Sequence, residues 1–295
     1  MDKKTKPRFS VVIPAYNEAH YIADTIDSLN KQVFRDFEII VVDNNSTDKT
    51  ATIAKSLGAK VIKEKNPGVC WARQAGTEVA QGEIIISTDA DTIYESDWLA
   101  VTDKWFHKFP DVVAVCGPIR YIGGPIWGSI YPHLLFGLVS LIYKITGYTF
   151  YASATNIAFK KSKWKSYNTS LTQGGDELAL IQALRKEGRV AFNNYNASYT
   201  SARRLVRGFI YNIFVSFLLY YIIEYYLSKI FKRPIIGAAP KFRNELSPRL
   251  VSLINIFIYT GLLLLFVIYT SPGRHIFHQI QQVIQNTEGS IREKL

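Results

Sequence analysis

The chain has 295 residues, 48% of them hydrophobic, which suits one large domain or one domain with an appendage. Its net charge of +11 is unevenly spread: residues 1–120 hold 15 Lys+Arg against 17 Asp+Glu, and residues 121–295 hold 20 against 7. With only Cys70 and Cys116, the sequence excludes a disulfide framework and a cysteine-built metal site, and it fits a reduced environment.

No long apolar stretch precedes Pro14, so a cleaved signal peptide is not expected. The first strand-like run is FSVVIPA (9–15). EAHYIADTIDSLNKQ (18–32) follows, with Ile22, Ile26 and Leu29 on one helical face. FEIIVVDN (37–44) is an unbroken apolar run ending in polar residues. STDKTATIAKSLG (46–58) opens on N-cap candidates and closes on Gly58. AKVIKE, a helix from about Val69 to Ala80, EIIISTDAD, a helix over 96–109 and VVAVCG (112–117) continue the alternation. Continuous Val/Ile runs joined by crossover helices predict an α/β fold, with a mostly parallel sheet and helices on both faces.

Beyond Gly123 the texture changes. Residues 125–146 are apolar but carry His133 and Lys144. NIAFKKSKW and RVAFNN read as strands flanking a helix in GGDELALIQALRKEG. Two 19-residue apolar stretches follow, 209–227 with the single charge Glu224 and 251–269 with none. Each approaches the ~20 residues needed to cross a bilayer. The basic C-terminal half suits an anionic membrane surface or nucleic acid, and the apolar stretches select the membrane. The expected organisation is a catalytic domain over 1–200, membrane-associated helices over 201–271 and a tail over 272–295. Two full spans would place the basic loop (Lys229 to Arg249) opposite the catalytic domain, against the positive-inside tendency. A re-entrant or interfacial 209–227 removes that conflict, and the sequence leaves both arrangements open.

Ligands of open α/β sheets bind beyond the carboxyl ends of the strands. Three polar clusters fall at such ends: Pro14-Ala15-Tyr16-Asn17, Asp43-Asn44 and Asp89-Ala90-Asp91. In an extended segment residues i and i+2 point the same way, so Asp89 and Asp91 are expected to share a focus. Two carboxylates with substrate phosphates suit a hard divalent cation, Mg²⁺ or Mn²⁺.

The segments VVIPAYNEAHYIADTIDSL, EIIVVDNNSTDKTATIA, NPGVCWARQAGTEVAQGEIIISTDADT and GGDELALIQALRKEGRVAF occur in order with sensible spacing. Over roughly residues 9–194 the chain resembles the family 2 glycosyltransferases, with their nucleotide-diphospho-sugar transferase fold. The resemblance implies that Pro14, Ala15, Tyr16, Asn17 and Glu18 form the first nucleotide-contacting loop. It implies that Asp43, with Asn44 and Asn45 beside it, holds the base or ribose, and that Arg73 lies near the nucleotide or diphosphate. Asp89 and Asp91 would hold the ribose and the metal-bound diphosphate. Asp176 stands where the family has its general base, with Glu177 as the alternative, because the usual acidic pair reads Gly175-Asp176 here. The Q-x-x-R-W motif of processive synthases is absent; TSARRLVRG stands in its place, so Arg203 and Arg204 become candidates for a diphosphate or a lipid phosphate.

The sequence therefore predicts a membrane-anchored, metal-dependent, inverting glycosyltransferase of cell-envelope polysaccharide synthesis, its catalytic domain cytoplasmic. Its partners would be a nucleotide-sugar donor, a lipid-linked or glycan acceptor and the membrane, with no nucleic acid. A polyprenyl-phosphate glycosyltransferase is the closest alternative. A nucleotidyltransferase would show a Gly-rich, Lys/Arg-bearing loop after the first strand, which PAYNEAHY is not. A catalytically dead scaffold would not need Asp43, Asp89, Asp91 and Asp176.

Overall fold

The computed structural model describes residues 6–170 and 176–209, with isolated positions between 211 and 261. The chain divides into two compact units, the first holding residues up to Val206 and the second beginning at Arg207. Everything below concerns the first.

Its elements follow the hydrophobic pattern closely. Strands β1 (Phe9–Ala15), β2 (Phe37–Asp43), β3 (Lys60–Lys63) and β4 (Ile84–Ser87) alternate with helices α1 (Ile22–Asn30), α2 (Thr50–Ser56) and α3 (Val69–Val79). Then come β5 (Thr92–Tyr94), α4 (Trp98–Lys108), β6 (Val112–Cys116), β7 (Ile119–Ile122) and α5 (Ile126–Thr146). Strand β8 (Ile157–Lys160), helix α6 (Asp176–Arg185) and strands β9 (Arg189–Phe192) and β10 (Ser198–Ser201) complete it.

The main sheet has seven strands in the order β3-β2-β1-β4-β8-β6-β9. The pairs β3–β2, β2–β1, β1–β4 and β6–β9 are parallel; β8 runs antiparallel to both neighbours. The mostly parallel sheet is thus observed, with one reversed strand. Side chains alternate across a strand, and β1 shows the consequence. Val11 and Ile13 point into a core closed by Ile22, Ile26 and Leu29 of α1 and Trp98 and Phe106 of α4. Val12, between them, points into the opposite core with Phe136 of α5 and Leu180, Ile181 and Leu184 of α6. Helices cover both faces because both faces of these strands are apolar.

Two features differ from the sequence reading. The segment EIIISTDAD is not one extended run: β4 stops at Ser87, and the chain turns at Ala90–Asp91 before Thr92 enters a separate three-stranded sheet, β5-β10-β7. That second sheet carries no clear signal, because its strands are only three or four residues long. The apolar segment at 125–146 forms a 21-residue helix, α5, packed on the domain along one side only. Among the described residues it alone is long and apolar enough to cross a membrane. The stretches 209–227 and 251–269 lie almost wholly outside the described residues.

Two helix-interior glycines make the packing testable. A Cβ on Gly76 of α3 would sit 2.4 Å from Val12 Cγ1 and 2.8 Å from Val42 Cγ2, whereas one on Gly137 of α5 would meet nothing within 4 Å. Alanine favours a helix interior by up to about 1 kcal/mol over glycine, but overpacking costs about 1–3 kcal/mol. Gly76→Ala is therefore expected to lower stability and Gly137→Ala to hold or raise it. Denaturant midpoints at unchanged slope measure both.

Candidate active site

Parallel register brings the carboxyl ends of β1 and β2 level, with Ala15 paired to Asp43. The Asn44 amide then donates to Ala15 O at 2.8 Å, joining the two strand-end loops. In the first loop Tyr16 is exposed and Asn17 adopts a left-handed conformation, φ 53°, one that asparagine tolerates better than most residues. Its backbone N–H donates to Ser46 Oγ at 3.0 Å, and its side-chain oxygen accepts from Thr47 N at 2.7 Å. Asp43 is buried and accepts from Ser46 N at 3.0 Å. Pro14, the last residue but one of β1, is half-buried beneath this loop.

Asn44 proves to be a bracket. Its side-chain nitrogen donates to Glu64 O and Asn66 O at 3.0 and 2.7 Å, and its oxygen accepts from Gly68 N at 2.8 Å. All three bonds hold the 64–68 loop, and Gly68, at φ 133°, starts α3 from a conformation suited to glycine. The resemblance placed Asn44 beside the nucleotide; the geometry has it shaping the wall there.

Helix α3 then carries Arg73 inward, leaving it only 3% exposed. Its guanidinium forks between two carboxylates: one nitrogen donates to Asp89 Oδ1 at 2.7 Å, the other to Asp176 Oδ2. Burial alone would raise the Asp176 carboxyl, but the Arg73 charge and a hydrogen bond with Glu177 hold it below the usual carboxylate range. Glu177 is buried beside it. The two acids proposed as general base are thus adjacent at the start of α6, and Asp176 is ion-paired.

A second arginine organises the other half of the cluster. Arg203 grips Glu18 with two bonds, 2.7 and 2.9 Å, and reaches Asp91 Oδ2 at 3.0 Å. It also lies over the Tyr21 ring, 4.8 Å from the centroid. Thr200 of β10 donates to Asp91 Oδ1 at 3.3 Å, and Ser201 N donates to Asp91 O at 3.1 Å. Burial raises the Asp91 pKa, Arg203 and Arg204 pull it back, and Asp89 and Glu18 add to the rise. Arg204 is exposed at the rim.

The expected extended D-x-D with a shared focus is not formed. Because the backbone turns at Ala90–Asp91, Asp89 faces Arg73 and Asp91 faces Arg203. Tyr21 and Thr200 were not singled out in the sequence, where a lone tyrosine or threonine near a turn carries no signal.

Whether these residues suit a divalent cation is a question of charge and donor type. Five acids (Glu18, Asp89, Asp91, Asp176, Glu177) gather about three arginines (Arg73, Arg203, Arg204), an excess of two negative charges if all ionise. Among the described residues no group of three or more metal-ligating side chains stands ready-made. One or two carboxylates completed by substrate phosphate is the usual arrangement for Mg²⁺; Asp89 and Asp91 are of that donor type, each already bonded to an arginine.

The sequence profile described as glycosyl transferase family 2 matches residues 10–166, more than half of the chain. The chain belongs to that family. A PGL/p-HBAD biosynthesis glycosyltransferase of Mycobacterium bovis is 37% identical over 101 residues, 32% of this chain and 40% of that protein. The amylovoran biosynthesis glycosyltransferase AmsB of Erwinia amylovora is 38% identical over 99 residues, 31% of this chain and 33% of AmsB. The matched segments thus span well under half the length of these relatives. Among solved structures, the fold is similar to that of the mannosyltransferase PcManGT from Pyrobaculum calidifontis, determined with GDP-Man and Mn²⁺. The TM-score is 0.65 at 20% identity, covering 95% of this chain and 81% of that one. S. aureus TarS 1–349 in complex with UDP gives 0.55 at 20% identity, covering 68% and 63%. These likenesses fix the nucleotide-sugar transferase fold of the first unit.

The buried Arg73 fork makes a stability prediction with a sign. Removing one partner of a buried ion pair costs about 3–5 kcal/mol, so Arg73→Met is expected to destabilise by that order at pH 7. The depressed Asp176 pKa contributes stability above its unfolded value, near 3.9, and that contribution is lost as pH falls through the folded value. The gap between wild type and Arg73→Met should therefore narrow below about pH 4. Thermal melts of both proteins at pH 7 and at about pH 3 check this.

Proposed function

We propose that the protein transfers a sugar from a nucleoside-diphosphate donor, a UDP-sugar, to a hydroxyl on a lipid-linked or membrane-proximal acceptor, with inversion at the anomeric carbon. The observation that carries this reading is the placement of Asp43, Asp89 and Asp91 beyond the strand ends of a family 2 glycosyltransferase, with Asp176 joined to Asp89 through Arg73. The roles of its relatives in PGL/p-HBAD and amylovoran biosynthesis support a place in cell-envelope glycolipid or polysaccharide synthesis. We assign the Pro14–Glu18 loop and Asp43 to the nucleoside, and Arg203 and Arg204 to the diphosphate. Asp89 and Asp91 would hold Mg²⁺ or Mn²⁺, whose bound charge offsets that of the departing nucleoside diphosphate.

Attack by a hydroxyl needs a base within hydrogen-bond reach. Asp176 is assigned that role, with Glu177 next to it as the alternative. To accept a proton, Asp176 must loosen its bond to Arg73, a cation that also faces Asp89. Displacement by the acceptor oxygen with no enzyme nucleophile gives inversion. We place the catalytic domain on the cytoplasmic side of a membrane, held there by the apolar C-terminal stretches.

One observation favours a second reading. The Arg73 charge makes Asp176 a weaker base than a free carboxylate. A polyprenyl phosphate acceptor brings its nucleophilic oxygen already ionised and needs no base.

A panel of nucleotide sugars with Mn²⁺ and membrane lipid extract, scored for nucleoside diphosphate release, tests the activity itself. Asp91→Asn is expected to abolish transfer while the fold survives; full turnover in excess chelator would sink the metal assignment. Asp176→Asn keeps the side chain's size and is expected to lower turnover by about 10²–10⁴ with donor affinity near normal. Loss with Glu177→Gln in its place moves the base by one residue. If neither substitution matters, the phosphate acceptor replaces the hydroxyl.

A further inference from the structure

Helix α5 has two unlike sides. One is tied to the domain over most of its length. Gly128 leaves no room for a Cβ beside Leu205, whose Cδ1 would be 2.3 Å away. Phe136 is buried and stacked on Phe192 of β9, ring centroids 6.2 Å apart. Val139 and Ser140 are buried, and Arg189 donates to Tyr143 Oη at 3.3 Å.

The other side is exposed and apolar. Ile126, Ile130, Leu134, Leu138, Leu141 and Ile145 recur at helical spacing and are between 50% and 84% exposed. They form one stripe along about 30 Å of helix. Isolated exposed leucines are ordinary on a protein surface; a continuous stripe of six marks a contact face.

The charge on it indicates what the face meets. Helix α5 carries no Asp or Glu, and its one Lys or Arg, Lys144, is exposed. An anionic bilayer surface attracts basic residues and would be repelled by acids. Trp127, Tyr131 and Tyr148 lie on or beside α5, and such residues favour the headgroup level.

We infer that α5 is an in-plane membrane-docking helix, its Ile126–Ile145 stripe set into the headgroup boundary of an anionic bilayer while its other face stays on the domain. Length and composition alone would equally allow a span. The attachments at Gly128, Phe136 and Tyr143 decide against it, because a helix tied along its side cannot cross lipid without taking the sheet with it. Its N-terminal end adjoins the segment bearing Arg203: a Cβ on Gly124 would lie 2.6 Å from Ala202 Cβ. The docked face therefore sets the rim of the donor cluster at the lipid surface, where a lipid-linked acceptor presents itself. That use of the helix rests on the acceptor proposed above; the docking does not.

The test uses the full chain in vesicles of phosphatidylglycerol and phosphatidylcholine. Single substitutions Ile130→Cys, Leu138→Cys and Ile145→Cys accept a fluorophore. Cys70 and Cys116 are buried, and burial pushes both thiols up to about 12, so they label slowly. Brominated lipids are expected to quench all three labels at one shared depth, about 5–10 Å into the headgroup and acyl boundary. A label at Lys55→Cys, on exposed α2, should stay unquenched. A depth profile with Leu138→Cys deepest would mean a span. Absence of quenching in membrane-bound protein would mean that something other than lipid covers the face, and efficient disulfide cross-linking between Leu138→Cys chains would identify a second copy. Any of these three results overturns the proposal. If no donor in the nucleotide-sugar panel gives transfer, the catalytic reading fails and the quenching result stands by itself.

Discussion

The site depends on one buried guanidinium. Arg73 comes from α3, and it binds carboxylates from two other places in the chain, the turn after β4 and the start of α6. The buried Asp176 would not stay ionised near Asp89 without it, since burial and like charge both oppose the carboxylate form. The arrangement is also unforgiving: a charge taken out of water is stable only while its partners remain. A residue 16 positions from Asp89 and 103 from Asp176 thus makes a single cluster of them.

Arg203 repeats the device on the other flank. It joins the loop after β1, through Glu18, to the turn that holds Asp91, and it comes from the end of the small sheet. Both arginines use a planar, multi-donor group to hold carboxylates at fixed spacing, which a lysine would not do. The consequence is an acid-rich cluster whose positive charge is supplied by arginines from elsewhere in the chain. Acids still outnumber arginines there, which is the charge balance on which the proposed cation and its diphosphate rest. The same pairing depresses the pKa of Asp176, so positioning and basicity are in opposition at that residue.

The placement of α5 bears on how such an enzyme meets its acceptor. Most membrane proteins separate the anchor from the catalytic domain by a linker or a hinge. Here the exposed apolar face belongs to a helix whose other side packs on Leu205, in the segment that carries Arg203. Under the docking proposed above, so rigid a connection would fix the height of the site above a lipid surface.

The sequence by itself determined the frame of this protein. Unbroken runs such as FEIIVVD and helical stripes such as Ile22, Ile26 and Leu29 are readable because burial on two faces, or on one stripe, imposes a period on the chain. It also located the acids, since polar clusters at the ends of apolar strands stand out, and four ordered motifs named the family. What it could not give was who faces whom. That Asp89 and Asp91 turn toward different arginines follows from a break after Ser87 that the apolar run EIIIS conceals. That Asn44 braces a loop, that Glu18 holds Arg203, and that Thr200 touches Asp91 all arise from contacts between residues distant in the chain. The same holds for α5, whose composition suits a core, a span or a surface equally. Only packing against Leu205, Phe192 and Arg189 leaves one apolar face outward, because which side of a helix is buried is settled by its neighbours and not by its own sequence.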